Sequence, residues 1–268
     1  MFGVAACAPG PAPAERPGAA SGNLGDMAPT PITTAPFTVT SVARFDSPWA
    51  MAFIPGTPFA IITERGGGMK LWQPDGPVRA IANVPSVAAG GQGGQGDVIV
   101  VGEANGWGEV MIAFSWVEAG PGGYGAVVAT AMLNPADERP ALRDIRRIWR
   151  QIPFMSGRGH FGHRLALAPD GRHLFISSGE RQAFEPAQSL RSNLGKILRI
   201  GIDGSIPADN PYAARAPQMA STSPAEERAM AEIWSLGHRN PLGIALDADG
   251  RLWEVEMGPA GGDELNRI

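Results

Sequence analysis

Three observations predict an all-β chain built as a propeller. Strand-length alternating runs begin near Phe37, one hairpin pattern recurs along the chain, and 36 Gly and 25 Pro in 268 residues supply many tight turns. The recurring pattern is carried by "RLALAPDGRHLFISSGE" (Arg164 to Glu180) and "GIALDADGRLWEVEMGP" (Gly243 to Pro259). Each reads as a hydrophobic strand, an Asp-Gly turn, a second strand with an aromatic residue, and a glycine. "WAMAFIPGTPFAIITERG" (Trp49 to Gly66) is a looser copy with Pro-Gly at the turn. Asp-Gly between alternating hydrophobics is a strong hairpin signal, and hairpins spaced by tens of residues signal a solenoid, propeller or array. Variable spacing and Trp-rich hairpins favour the propeller. A β-sandwich is the alternative, because hairpins look alike in any antiparallel fold.

Residues 1–36 read as a signal or lipobox remnant followed by a disordered linker. Val4-Ala5-Ala6-Cys7 resembles a lipobox, in which small residues precede a lipidated cysteine; the other reading is a chance Ala-Ala-Cys in an Ala-rich tail. "APGPAPAERPGAASGNLGDMAPTP" then has the composition of an exported protein's linker. Residues 37–268 form the second unit, a partial propeller. "FTVTSVA", "WAMAFIP", "FAIITER" and "MKLWQPDG" are its first strand-like runs. Only "SPAEERAMAEIW" (Ser223 to Trp234) reads as helix, with a Ser-x-x-Glu capping box and Pro at the first helical position.

Composition narrows the function. With 44% hydrophobic residues the body of the chain can fold, and a net charge of −4 without a long Lys/Arg run argues against nucleic acid. The single cysteine excludes an intrachain disulfide and the usual zinc spacings. No apolar stretch reaches 18 residues, so no helical membrane span is expected.

Four segments place polar side chains beside glycines where strands should end: "GGQGGQGD" (Gly90 to Asp97), "GRGHFGHR" (Gly157 to Arg164), "GHRNPLG" (Gly237 to Gly243) and "EMGPAGGDELN" (Glu256 to Asn266). In a propeller, loops at one end of successive blades converge, so these segments can line one pocket. His160 and His163 could share a metal, pack a core, or include a proton carrier. A two-histidine metal site is the weakest reading, since no third ligand lies nearby.

Taken in order, "SPWAMAFIP…ITERGG", "GQGGQGDV", "GHFGHRLALAPDG", "NLGKILRIGIDGSIPADNPY", "EIWSLGHRNPLGIA" and "EMGPAGGDELNRI" resemble the soluble pyrroloquinoline quinone (PQQ)-dependent sugar dehydrogenases, the glucose/sorbosone or aldose sugar dehydrogenase family, from about Phe45 to Ile268. The resemblance implies a six-bladed propeller with PQQ and Ca2+ at the channel mouth, incomplete here at about four to five blades. It implies oxidation of an aldose at C1 to the lactone, an external electron acceptor, and a bacterial periplasmic or lipid-anchored location.

By the same resemblance His160 is the general base and Glu180, in the Gly179-Glu180 pair, its orienting carboxylate. Gln92 stands near the substrate hydroxyl, Arg239 and Asn240 contact PQQ, and the Gly258 and Pro259 carbonyls bind Ca2+. The bland alternatives are a polar loop residue for Gln92, a structural turn for Arg239-Asn240, and for Glu180 a solvent-exposed loop glutamate paired with Arg181 or nothing. His163 reads as structural or surface, Asp263 and Glu264 as loop-holding, and Asp203 and Asp209 as turn residues. Met257 departs from the Gln or His of relatives, and Leu242 from a common Gln. The family continues past the position of Ile268, so the chain is expected to be an inactive fragment, clipped at both ends. A propeller sugar lactonase and a non-catalytic carbohydrate-binding propeller are the competing functions.

Overall fold

The computed structural model describes residues 37–219 and 222–268. Two units separate, 1–41 and 42–268. The signal, lipobox and Cys7 readings lie outside the described residues.

The 42–268 unit is four antiparallel meanders in chain order. The first sheet is β1 (Pro48–Phe53), β2 (Ala60–Glu64), β3 (Met69–Trp72) and β4 (Arg79–Ile81). The second is β5 (Gln95–Val101), β6 (Val110–Gly120), β7 (Gly123–Leu133) and β8 (Arg143–Arg150). The third is β9 (Gly162–Leu167), β10 (His173–Ser178), β11 (Lys196–Gly201) and β12 (Ile233–Leu236), and the fourth has three strands, β13 (Pro241–Leu246), β14 (Leu252–Glu256) and β15 (Glu264–Arg267). The three repeated sequence stretches are the β1–β2, β9–β10 and β13–β14 hairpins.

Burial on both faces of the middle sheets is what makes this a propeller. Ile112, Phe114 and Trp116 of β6 pack with Ile61, Met69 and Leu71 of the first sheet, while Ala113 between them packs with Leu174 and Ile176 of the third. On β10, Phe175 faces the other way, joining Ile197 and Leu252 of the fourth sheet. Alternation along one strand thus feeds two interfaces, each apolar. At the last sheet the pattern stops: Val255 and Leu265, paired in register, are 48% and 69% exposed.

Polar side chains stitch the inner strands of successive sheets together, from β2 to β5, β5 to β9 and β9 to β13. Thr63 Oγ1 donates to Gly96 O at 2.7 Å, Asp97 Oδ2 accepts from Leu165 N at 2.9 Å, and Arg164 Nε donates to Leu242 O at 2.8 Å. Burial pushes the Asp97 carboxyl up, and the nearby Arg164 charge opposes that.

Two elements differ from expectation. Phe37 to Ala43 forms no strand and its side chains are mostly exposed, so β-branched composition there had no ladder partner to realise it. The helix α1 (Pro224–Glu232) has the expected capping box, but it stops at Glu232. Ile233 and Trp234 are recruited into β12 by pairing with β11, a tertiary override of local propensity.

Candidate active site

Strand register brings His160 and Glu180 together. Ser178 pairs with Gly162, and two residues further along each strand end stand Glu180 and His160. Gly179 N donates to Phe161 O at 3.1 Å across the same gap. Both glycines are required. Gly162 has φ +66°, and a Cβ on Gly179 would lie 2.1 Å from His160 O.

The Glu180 carboxylate, 1% exposed, uses both oxygens: Oε1 lies 2.5 Å from His160 Nδ1, and Oε2 accepts from Phe184 N at 2.6 Å. An ionised carboxylate can only accept, so it fixes the imidazole proton on Nδ1 and leaves the Nε2 lone pair. Among the described residues Nε2 has no hydrogen-bond partner. This arrangement can take up a proton at Nε2 with a negative charge behind it. His160 is buried and sits at φ +48°, a left-handed conformation that costs a non-glycine residue about 1–3 kcal/mol and needs surrounding contacts to hold it. The reading of Glu180 as an exposed loop residue paired with Arg181 does not describe this geometry.

Gln92, from the loop before β5, grips the same segment twice. Its N–H donates to Arg158 O at 2.8 Å, and its Oε1 accepts from His160 N at 2.7 Å. The side-chain NH2 is left for a ligand. Glu180 N also donates to Arg239 O at 2.8 Å, so the loop before β13 is tied to the histidine.

Asn240 is fully buried, yet neither of its amide atoms has a partner, and Arg239 Nε is likewise buried and unpartnered. Buried polar groups are normally satisfied, so these adjacent orphans have hydrogen-bonding capacity to offer a group from outside the chain. Asn240 lines a cavity of about 160 Å3 with Trp49, Gln92, Phe161, Gly162, His163 and Leu242. Larger clefts of about 480 and 620 Å3 lie on outer strands and contain none of these residues. The chemistry points to the small one.

Arg239 Nη1 donates to Met257 O at 2.8 Å, which brings in the 257–263 turn. That turn is so tight that a Cβ on Gly258 would lie 1.7 Å from Gly262 O. Asp263 Oδ1 accepts from Gly258 N at 2.9 Å, so Asp263 holds the loop as expected. Gly258 and Pro259 offer backbone carbonyls, a donor type that suits a hard cation. Gln92, His160, Glu180, Arg239 and Gly258 therefore occupy one end of the sheets, at the starts of the first strands or the ends of the second.

His163 is not a surface residue. It is 2% exposed, bonds Ser115 Oγ through Nδ1 at 2.9 Å, and fills the space a Cβ on Gly96 would need. Burial, then the charges of Arg164 and Arg181, push its pKa down to about 3, so it is neutral. Sequence reasoning missed a second buried group, His238 with Glu254 and Glu256, whose donor atoms converge within 4.8 Å. Neither His160 nor His163 belongs to such a cluster among the described residues. Glu256 Oε2 accepts from Arg239 N and Asn240 N at 2.5 and 3.1 Å, which shapes the loop carrying the two orphans. Burial pushes the His238 pKa down, but hydrogen bonds and charge from Glu254 and Glu256 lift it to about 9.

Known proteins share the fold and the sequence of this chain. The glucose/sorbosone dehydrogenase family model matches residues 45–268. The aldose sugar dehydrogenase YliI of Escherichia coli is 37% identical over 225 residues, covering 83% of this chain and 57% of that protein. A glucose dehydrogenase crystal structure superposes with a TM-score of 0.72 at 38% identity, over 82% of this chain and 60% of its own. The PQQ-bound aldose sugar dehydrogenase of Streptomyces coelicolor gives 0.66 at 26% identity, over 86% and 62%. The chain spans somewhat under two thirds of these relatives, and along that span its fold and sequence are theirs: it belongs to the glucose/sorbosone dehydrogenase family.

Proposed function

We propose that this chain carries the sugar-oxidising site of a PQQ- and Ca2+-dependent aldose dehydrogenase that converts the sugar at C1 to the lactone. The observation that carries the reading is the buried, carboxylate-backed His160 beside the unpartnered amide of Asn240. A protein of this kind passes its electrons to an external acceptor, and its likeness to an aldose sugar dehydrogenase and a glucose dehydrogenase supports an aldose substrate.

When bound, PQQ supplies the hydride acceptor and Ca2+ the polarising charge. Arg239 and Asn240 would hold the quinone; the orphaned donors Arg239 Nε and Asn240 Nδ2 match a polyanionic, carbonyl-rich group. The Gly258 and Pro259 carbonyls would hold the cation. His160 Nε2 takes the proton of the anomeric hydroxyl, and Glu180 fixes the ring and stabilises the imidazolium. Gln92, whose Oε1 is committed to His160 N, offers its NH2 to a substrate hydroxyl. Burial of the dyad excludes water from the base. A lactonase on this fold would need side-chain carboxylates converging on its metal; Glu254 and Glu256 converge instead on His238.

Export to the periplasm, with or without a lipid on Cys7, is the location proposed for such chemistry. Steady-state dye reduction with PQQ, Ca2+ and a panel of aldoses tests the function, on a purified wild-type protein that carries this span at the full length of its relatives. Aldose-dependent turnover that disappears with EGTA supports it, and hydrolysis of a lactone without dye reduction would replace it with the lactonase.

A further inference from the structure

The dyad rests on a residue that the proposed chemistry leaves unused. Arg181 is 3% exposed and follows Glu180 directly, yet it makes no ion pair with any carboxylate among the described residues. Its guanidinium instead forks onto three backbone carbonyls. Nε donates to Gly159 O at 2.9 Å, Nη1 to Tyr124 O at 2.7 Å, and Nη2 to Gly157 O. Its flat face lies 3.7 Å from the centroid of the Phe161 ring. Two of those carbonyls lie just before His160 in the chain, and the stacked ring just after it. The third belongs to β7, so the same side chain fastens the His160 loop to the second sheet.

We infer that Arg181 is the positioning residue for His160, holding the 157–161 segment and its left-handed histidine in place so that the His160–Glu180 dyad is assembled before any ligand arrives. The inference rests on the function proposed above for its catalytic readout only. A left-handed histidine persists only where its surroundings over-determine it, and here the Arg181 guanidinium adds three carbonyl contacts and a stacked ring to the bonds from Gln92 and Glu180. Lysine would keep the charge but lose the planar fork and the stacking, so the substitution is not conservative at this site. Burial lowers the Arg181 pKa to about 10, partly offset by Glu180, so the guanidinium stays charged at neutral pH.

The test uses the purified protein with Arg181→Lys and Arg181→Gln. Amide hydrogen exchange at His160 reads the loop, 15N chemical shifts of the His160 ring read its tautomer, and kcat and KM read the chemistry. Both variants are expected to exchange the His160 amide at least tenfold faster while β10 and β11 keep their protection. The Nδ1-protonated tautomer is expected to lose its dominance, with kcat falling at least tenfold and KM changing less than threefold. Should either variant fail to fold, Phe161→Leu removes the stacked ring while keeping the site apolar, and the same shifts are expected in smaller measure. Folded variants with wild-type exchange and tautomer at His160 overturn the inference. Wild-type protein without sugar oxidation overturns the proposed function instead, and exchange and tautomer still decide the role of Arg181.

Discussion

Replacing Glu180 by glutamine probes the site at its most constrained atom pair. The carboxylate accepts from two fixed donors, His160 Nδ1–H at 2.5 Å and Phe184 N–H at 2.6 Å. A glutamine has one carbonyl and one NH2, so one donor must face another donor. If the NH2 faces His160, the imidazole proton moves to Nε2 and the base loses its lone pair. If it faces Phe184, a buried N–H goes unpaired at about 1–3 kcal/mol, and the imidazolium loses its counter-charge. A hydrogen bond to a charged group contributes about 1.5–3 kcal/mol, so kcat should fall roughly ten- to hundredfold. The bond from Glu180 N to Arg239 O is backbone and survives, so PQQ affinity should stay within about threefold. Steady-state dye reduction gives kcat, and PQQ titration followed by absorbance gives Kd. A Glu180→Gln protein with kcat within twofold of wild type would refute the reasoning.

Four other outcomes are expected. Gly179→Ala should lose activity and about 1–3 kcal/mol of stability in denaturant titrations, because its Cβ would meet His160 O and Asn240 Oδ1 at 2.1 and 2.9 Å. Lys196→Met should destabilise by about 3 kcal/mol or more, since the buried Nζ serves the carbonyls of Pro186, Ala187 and Leu194 at 2.7, 2.9 and 2.7 Å. His163, with a folded pKa of about 3 against an ordinary 6.5, makes stability fall as pH drops below 6.5, by about 2 kcal/mol at pH 5; His163→Asn should flatten that acid limb in a Tm-against-pH series. His238 works in the opposite sense: its pKa is raised to about 9, so its contribution is complete below pH 6.5 and is lost as pH rises through 9, a limb that His238→Asn should remove.

Much of the site was legible because its glycines and polar residues cluster where strands end. The Gly179-Glu180 pair was matched to His160 through the family resemblance, and antiparallel register is what sets the two opposite each other. The left-handed backbone of His160 was not legible, because nothing in "GRGHFGHR" distinguishes it from a glycine-led turn. The role of Arg181 was not legible, because an arginine serving three carbonyls leaves no sequence trace. In "LWEVE" Glu254 and Glu256 are buried and Val255 is exposed, the inverse of the usual hydrophobic pattern. That inversion is a signal in itself: carboxylates on the inward side of a strand need a partner, and His238, sixteen and eighteen positions upstream of them, supplies it. Residues 37–43 show the converse, since β-rich composition without a neighbouring strand gave no ladder.

The central claim is that His160, backed by Glu180, is the base of a quinone-dependent sugar oxidation. Comparing wild-type protein with His160→Ala in the presence of PQQ, Ca2+, an aldose and an acceptor dye tests it most directly. The account predicts aldose-dependent dye reduction by the wild type, a loss of about a hundredfold or more in kcat in the variant, and PQQ affinity unchanged. Equal turnover by the two proteins, or dye reduction that does not depend on the sugar, would contradict it.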